Sequence, residues 1–202
     1  MAVQDRTPDP LLDGAFEDAL RYALARHRTQ SRKGTRIPYM SHLLQVCGRV
    51  LEAGGTQDQA IAALLHDAVE DAPQADVASV KAEIGRRFGP DVLEMVLALT
   101  DAEGEPKPPW RERKQQYLAR LRREPCAAAL LVSLADKGHN AGAIVRDVRD
   151  GGEAVWDRFH ARPHDLVWYY AELADSYPAD VAPALLRELR EAVAEMQALA
   201  DR

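Results

Sequence analysis

Residues 60–71 read AIAALLHDAVED, and this stretch decides the fold class. Alanine and leucine are strong helix formers, and the run shows no alternation of period two. Thr56 and Gln59 stand just ahead of it at capping-box spacing, and Pro73 follows it. The pattern predicts a buried helix that carries His66 and Asp67 near its C-terminal end. A polar pair in such a place needs a compensating partner. Neighbouring side chains on a helix diverge by about 100°, so both can touch one centre only if it lies between their directions. A divalent ion satisfies that condition.

Outward from this segment the chain reads as helix after helix. Helices are expected from about Leu11 to Arg28, from Pro38 to about Ala53, and from Val77 to Phe88. Gly89 and Pro90 open the next, which ends near Thr100. A polar loop, DAEGEPKPP at 101–109, precedes a charged helix from Trp110 to Arg123. Pro125 opens further helical segments through Val148. Shorter ones follow around Glu153–Phe159 and from Asp165 to Ser176, and an amphipathic helix after Pro178 ends near Ala200. This is an all-α bundle of about eight to ten helices. Residues 1–10, with Pro8 and Pro10, read as a flexible tail, and residues 11–202 as a single domain.

Composition narrows the function classes. The 202 residues carry 26 Lys plus Arg against 32 Asp plus Glu, a net charge of −6. That balance disfavours DNA or RNA as a partner, since such binding needs a strong basic field. A small anionic ligand needs only a local basic patch, and Arg28, Arg32, Lys33 and Arg36 supply one around Gly34. Two cysteines, Cys47 and Cys126, are too few for a disulfide scaffold or a thiolate zinc site, and Cys47 reads as a small core residue. No apolar run is long enough for a membrane span, and no signal pattern opens the chain, so a cytoplasmic location is expected. The oligomeric state is left open.

The His66-Asp67 pair needs two further ligands from elsewhere. His42 and Asp136 are candidates, because each adjoins an apolar stretch where core meets cleft. Other readings stand beside this one. Either histidine could be a hydrogen-bonded core residue, Asp67 could bridge helices, and Asp136 could pair with an arginine. Glu70 and Asp71 stand four residues after His66 and Asp67, on nearly the same helical faces, although acidic residues also end helices.

His42, His66-Asp67 and Asp136 resemble the His…His-Asp…Asp signature of the HD metal-dependent phosphohydrolase superfamily. Four longer segments are similar to the hydrolase domain of RelA/SpoT homologues over residues 15–150. They are HRTQSRKGTRIPYMSHLLQV (27–46), AALLHDAVED (62–71), FG (88–89) and LADKGHN (134–140). The likeness is to small stand-alone alarmone hydrolases of the stringent response, which remove the 3′-diphosphate of ppGpp (guanosine 3′,5′-bis(diphosphate)) or of its pentaphosphate analogue. The resemblance implies an HD-domain bundle that binds one divalent ion, manganese in relatives, through His42, His66, Asp67 and Asp136. It assigns Glu70 and Asp71 to the attacking water. It assigns Arg32, Lys33, Tyr39, His139 and Asn140 to a small anionic nucleotide substrate. His27 and Gln30 match the family's H-x-x-Q element.

Lys137 and Gly138 depart from the family's arginine and leucine, and Gly138 is expected to alter the pocket wall. The loop between Gly34 and Pro38 is two residues longer than the common form. Trp110, Arg111, Arg113 and Lys114 could meet distal phosphates over the cleft or form a charged surface helix. Trp168-Tyr169-Tyr170 reads as helix packing or a subunit contact. Alternatives to alarmone hydrolysis are an HD phosphohydrolase acting on NADPH or a nucleoside monophosphate, and an inactive nucleotide sensor.

Overall fold

The computed structural model describes residues 11–102, 106–123 and 125–202. The expected tail at 1–10 and part of the 101–109 loop lie outside the described residues. Among the described residues the chain is all-α. Three helices build the first half of the core: α1 (Gly14–Arg26), α2 (Met40–Glu52) and α3 (Gln57–Leu65). The next three are α4 (Val77–Phe88), α5 (Pro90–Leu99) and α6 (Trp110–Arg123). Then come α7 (Ala127–Gly151), α8 (Pro163–Ser176) and α9 (Pro183–Ala200). Two 3-10 segments, Gln74–Asp76 and Glu153–Arg158, fill connections. The only β-type pairing among the described residues is one antiparallel bridge, Ser31 with Pro38.

Local signals set these boundaries. Thr56 Oγ1 accepts from Gln59 N–H at 3.2 Å, while Gln59 Oε1 accepts from Thr56 N–H at 2.9 Å. Two orphan donors at the start of α3 are thereby satisfied. Asp13 caps α1 by accepting from Ala15 N–H at 2.8 Å. Gln57 Oε1 accepts from Asp13 N–H at 2.7 Å, tying the starts of α1 and α3 together.

One boundary differs from expectation. The α-helix ends at Leu65, and His66–Asp71 form a run of turns. The Ala68 N–H turns to Leu65 O at 2.9 Å, a tighter closure than an α-helix makes. One α-type bond survives, Asp71 N–H to Asp67 O at 2.9 Å. The four-residue relation of Glu70 and Asp71 to the His-Asp pair is thus carried by turns, not by a continuing helical face. Conversely, the segments expected after Pro125 merge into one helix of 25 residues, about 37 Å long.

The bundle is organised around that long helix. α7 packs against α2, α3, α5 and α9, while α3 also meets α1, α2 and α5. Leu43, Ile61, Leu64, Leu65, Leu134 and Leu189 are fully buried among them. Cys47 is buried too, and burial pushes its thiol up to about 11. No helix among the described residues is long and apolar enough to cross a membrane. What this packing delivers is the N-terminal turn of α2, the C-terminal end of α3 and the middle of α7 at one place.

Candidate active site

At that place four side chains converge. The Nε2 atoms of His42 and His66 stand 3.3 Å apart. Asp67 Oδ2 lies 2.9 Å from His66 Nε2 and 3.8 Å from His42 Nε2. From α7, Asp136 Oδ1 comes within 3.2 Å of His42 Nε2 and 3.6 Å of His66 Nε2. Donors held at ~2.1 Å around one ion, at right to tetrahedral angles, lie roughly 3.0–3.4 Å from each other. The donor atoms of His42, His66 and Asp67 lie close enough together for a single cation site, and Asp136 Oδ1 approaches both imidazoles from α7. Two imidazoles and two carboxylates suit a borderline or hard divalent ion.

Surrounding hydrogen bonds aim these donors. His66 Nδ1 donates to Ala63 O at 2.8 Å, so its Nε2 lone pair faces the centre. His42 Nδ1 meets His139 Nδ1 at 2.8 Å, which turns its own Nε2 inward. The Tyr39 hydroxyl donates to Asp67 Oδ2. Asp136 accepts from Lys137 Nζ on Oδ2 at 2.6 Å and from Asn140 Nδ2 on Oδ1 at 2.6 Å. Side-chain exposures are 1% for His42, 3% for His66 and 3% for Asp136, against 19% for Asp67. The centre consequently opens on the Asp67 side.

The charges around the centre move its members in different directions. Burial alone would lower His66, but Asp67 and Asp136 overcome it and raise the imidazole well above its usual value. Burial also opposes ionisation of Asp136, yet Lys137 and His66 hold it well below the ordinary carboxylate range. His42 moves the other way, lowered by its burial. Burial and the neighbouring His42 and Arg32 charges push His139 down to about 3, so it serves as a neutral support.

Two further carboxylates ring the centre. The Glu70 carboxylate accepts from Asp101 N–H at 3.1 Å and pairs with Lys107 Nζ at 3.4 Å. Its burial, then the Asp67 and Asp101 charges, raise its pKa. Asp71 Oδ2 accepts from Gln30 Nε2 at 2.8 Å, and Gln30 Oε1 meets His27 Nδ1 at 2.6 Å. The H-x-x-Q element thus braces Asp71.

Beside the centre runs a cleft of about 470 Å³. Arg32, Lys33, Tyr39, His139 and Asn140 all line it, so the structure brings the five expected substrate contacts together. Arg32 Nη2 donates to Asn140 Oδ1 at 2.7 Å, and its guanidinium lies 5.8 Å from the Tyr39 ring centroid. Asn140 joins the two halves, because its other end donates to Asp136. The sequence reading missed Ile144, Arg146, Asp147 and Phe159 on the same walls. On an isolated helix Arg146 and Asp147 look like any solvated charges; only their place beyond Asn140 on α7 marks them.

The packing revises the expectation for Gly138 and places two features that the sequence left open. Gly138 does not shape the cleft: a Cβ there would stand 3.1 Å from Arg49 Nη2, and Arg49 pairs with Glu188 at 2.7 Å. Its small size makes room for a guanidinium between α2, α7 and α9. Trp110, Arg111, Arg113 and Lys114 are not among the residues that line the cleft; their partners lie elsewhere in the bundle. Arg111 pairs with Asp165 at 2.5 Å, Arg113 and Lys114 both hold Asp101, and Trp110 stacks edge-on with Tyr169. Lys137 is a partly buried partner of Asp136, 5.2 Å from the Tyr117 ring centroid. Tyr169 and Tyr170 are packing residues, and Tyr170 also reaches the cleft.

Comparison with known proteins agrees with this architecture. Residues 19–166 match the HD domain family. The GTP pyrophosphokinase rsh of Brucella melitensis is 32% identical over 143 residues, 68% of this chain and 18% of that protein. The guanosine-3′,5′-bis(diphosphate) 3′-pyrophosphohydrolase of Aquifex aeolicus is 38% identical over 85 residues, 42% of this chain and 11% of that protein. The chain thus spans under a fifth of the length of these curated relatives. A solved metazoan SpoT orthologue, described as hydrolysing ppGpp and acting in starvation responses, superposes with a TM-score of 0.74 at 27% identity. That alignment covers 94% of this chain and 98% of the other.

Proposed function

The chain belongs to the HD domain family, and from that premise we propose that residues 11–202 act as one metal-dependent hydrolase unit. It removes the 3′-diphosphate of guanosine 3′,5′-bis(diphosphate), or of its pentaphosphate analogue, and releases pyrophosphate. The observation that carries this reading is the meeting of two imidazoles with Asp67 and Asp136, each carboxylate 2.9 to 3.8 Å from the histidine Nε2 atoms, beside a cleft lined by Arg32 and Lys33. The metazoan relative described as hydrolysing ppGpp supports the substrate class.

His42, His66, Asp67 and Asp136 would hold one divalent ion, and the mixed nitrogen and oxygen donors suit manganese. When bound, the ion screens phosphoryl charge and acidifies a water. Every other task falls to the chain. Glu70 has its pKa raised and is restrained by Asp101 and Lys107, so it orients the attacking water and accepts its proton. Asp71, braced by Gln30, holds that water in line. Tyr39 fixes Asp67 at the mouth of the site. Arg32 and Lys33 hold the nucleotide, the guanidinium offering a planar face to the base and paired donors to phosphate. Asn140 keeps Arg32 in register with Asp136, which sets the scissile group against the centre.

A screen of purified protein against nucleotides and several divalent ions tests the proposal. Intact pyrophosphate released from guanosine 3′,5′-bis(diphosphate), fastest with manganese, is the expected result. Free phosphate from another nucleotide, with no pyrophosphate from this one, would replace the substrate assignment. Stoichiometric binding without turnover in excess manganese would replace the enzyme with a sensor.

A further inference from the structure

Arg146 lines the cleft from α7, and among the described residues its guanidinium carries neither a hydrogen bond nor an ion pair. Its Nη1 lies 3.4 Å from where a Cβ on Gly142 would stand, so the side chain leans back one turn toward the metal centre. Gly142 is six residues beyond Asp136, which places the guanidinium about 9 Å from Asp136 along the helix axis. The adjoining carboxylate is neutralised: Asp147 also lines the cleft but is held by Arg158 Nη1 at 3.1 Å. Arg158 is fixed in turn by crossing Gly34 of the basic loop, where a Cβ would stand 2.7 Å from its Cδ. Ile144 and Phe159 supply apolar wall beside these charges, suited to a sugar and base. The cleft therefore adjoins the candidate cation site through Asn140, and its walls combine an apolar surface with a free arginine beside an aspartate already paired with Arg158.

We propose that Arg146 is a specificity-determining residue that grips the phosphoryl groups at the end of the nucleotide remote from the metal centre. The cleft thereby selects nucleotides phosphorylated on both sides of the sugar. The inference rests on the hydrolase reading for what occupies the metal end, and on the geometry of α7 for the remote end. A guanidinium can engage phosphate through two parallel donors, which an amide or a hydroxyl cannot match.

The test compares kcat/KM for guanosine 3′,5′-bis(diphosphate) and for guanosine 3′-diphosphate lacking 5′-phosphates. The parent protein is expected to favour the former at least ~10-fold, the scale of one charge-assisted contact. Arg146→Ala and Arg146→Gln collapse that ratio toward unity, and Arg146→Lys keeps part of it. Arg149→Gln removes an equal charge from a neighbouring residue paired with Glu195 and leaves the ratio unchanged. A ratio in Arg146→Ala equal to that of the parent overturns the proposal. Calorimetric binding of guanosine 5′-diphosphate separates this inference from the hydrolase reading. If neither substrate turns over but Arg146→Ala weakens that binding ~10-fold, the hydrolase reading falls and the role of Arg146 stands. Binding that ignores Arg146, or none at all, removes the role of Arg146 whatever the turnover.

Discussion

The helix α7 is built in opposite ways at its two functional positions. Asp136 is 3% exposed and is held by Lys137 and Asn140 while facing two imidazoles. Arg146, less than three turns along, is exposed and, among the described residues, unpaired. Across from them the same contrast repeats. His42 and His66 are locked by His139 and by Ala63 O, whereas Lys33 stands exposed on a loop closed by a single β-bridge. A group that must keep a metal's coordination geometry is buried and bonded from several sides, because small displacements there destroy the site. A group that must meet an arriving, strongly hydrated anion is left in water, where its own desolvation costs little until the ligand comes.

Substitutions can break or sharpen this contrast. Asp67→Ala removes a ligand from the locked end and leaves His42, His66 and Asp136 unbalanced. We expect turnover to fall beyond detection and manganese affinity to fall at least ~100-fold, read by calorimetry. Retained activity with undiminished metal affinity would break the assignment of the whole cluster.

Next in size is the buried ion pair behind the centre. Asp101 has a side-chain exposure of 5% and holds Arg113 and, at 2.8 Å, Lys114. Asp101→Asn strands two cations and should destabilise the fold by about 3 kcal/mol at neutral pH in urea unfolding. The pH dependence has a definite sign. Burial would raise the Asp101 carboxyl, but Lys114 and the other nearby cations hold it below its ordinary value of 3.8. Its contribution is therefore full above that value and is lost as pH falls through the lower, folded value. The gap between parent and variant should narrow only below about pH 4. A gap already closing near neutrality would remove this ion pair from the account.

Glu70→Ala tests the boundary between the two regions. It should lower kcat on the order of 100-fold while leaving metal affinity and KM nearly unchanged, as expected for a positioned proton acceptor. Unchanged kcat under saturating substrate would exclude it from the chemistry. The smallest effect belongs to the open end: Lys33→Ala should raise KM about 10-fold, with the loss shrinking at high salt because the contact is exposed. A fall in kcat instead, insensitive to salt, would show that the basic loop is held as rigidly as the metal centre.

The bounds of α4 and α6 and the capping box of α3 were legible in the chain, because glycine, proline and capping residues act locally. The end of α3 was not. AIAALLHDAVED has helical composition throughout, yet the helix stops at Leu65 and turns carry the His66 and Asp67 that meet at the centre. Gly138 likewise misled as a pocket residue, and the surroundings of Lys137 were not legible, since neither Arg49 on α2 nor Tyr117 on α6 is near them in sequence. For the H-x-x-Q element the sequence left packing and ligand contact equally open, and only the fold sets Gln30 against Asp71.

By itself the sequence determined a helical bundle, a set of metal-type donors and a basic loop, since propensity, capping and residue chemistry act within a few neighbours or within one side chain. Only the tertiary structure decided which donors share a centre, which cations are consumed by internal partners and which remain free for a ligand. Those outcomes depend on contacts between residues such as Arg32 and Asn140, or Asp147 and Arg158, whose meeting is fixed by how α2 and α7 pack and by how the basic loop folds across them.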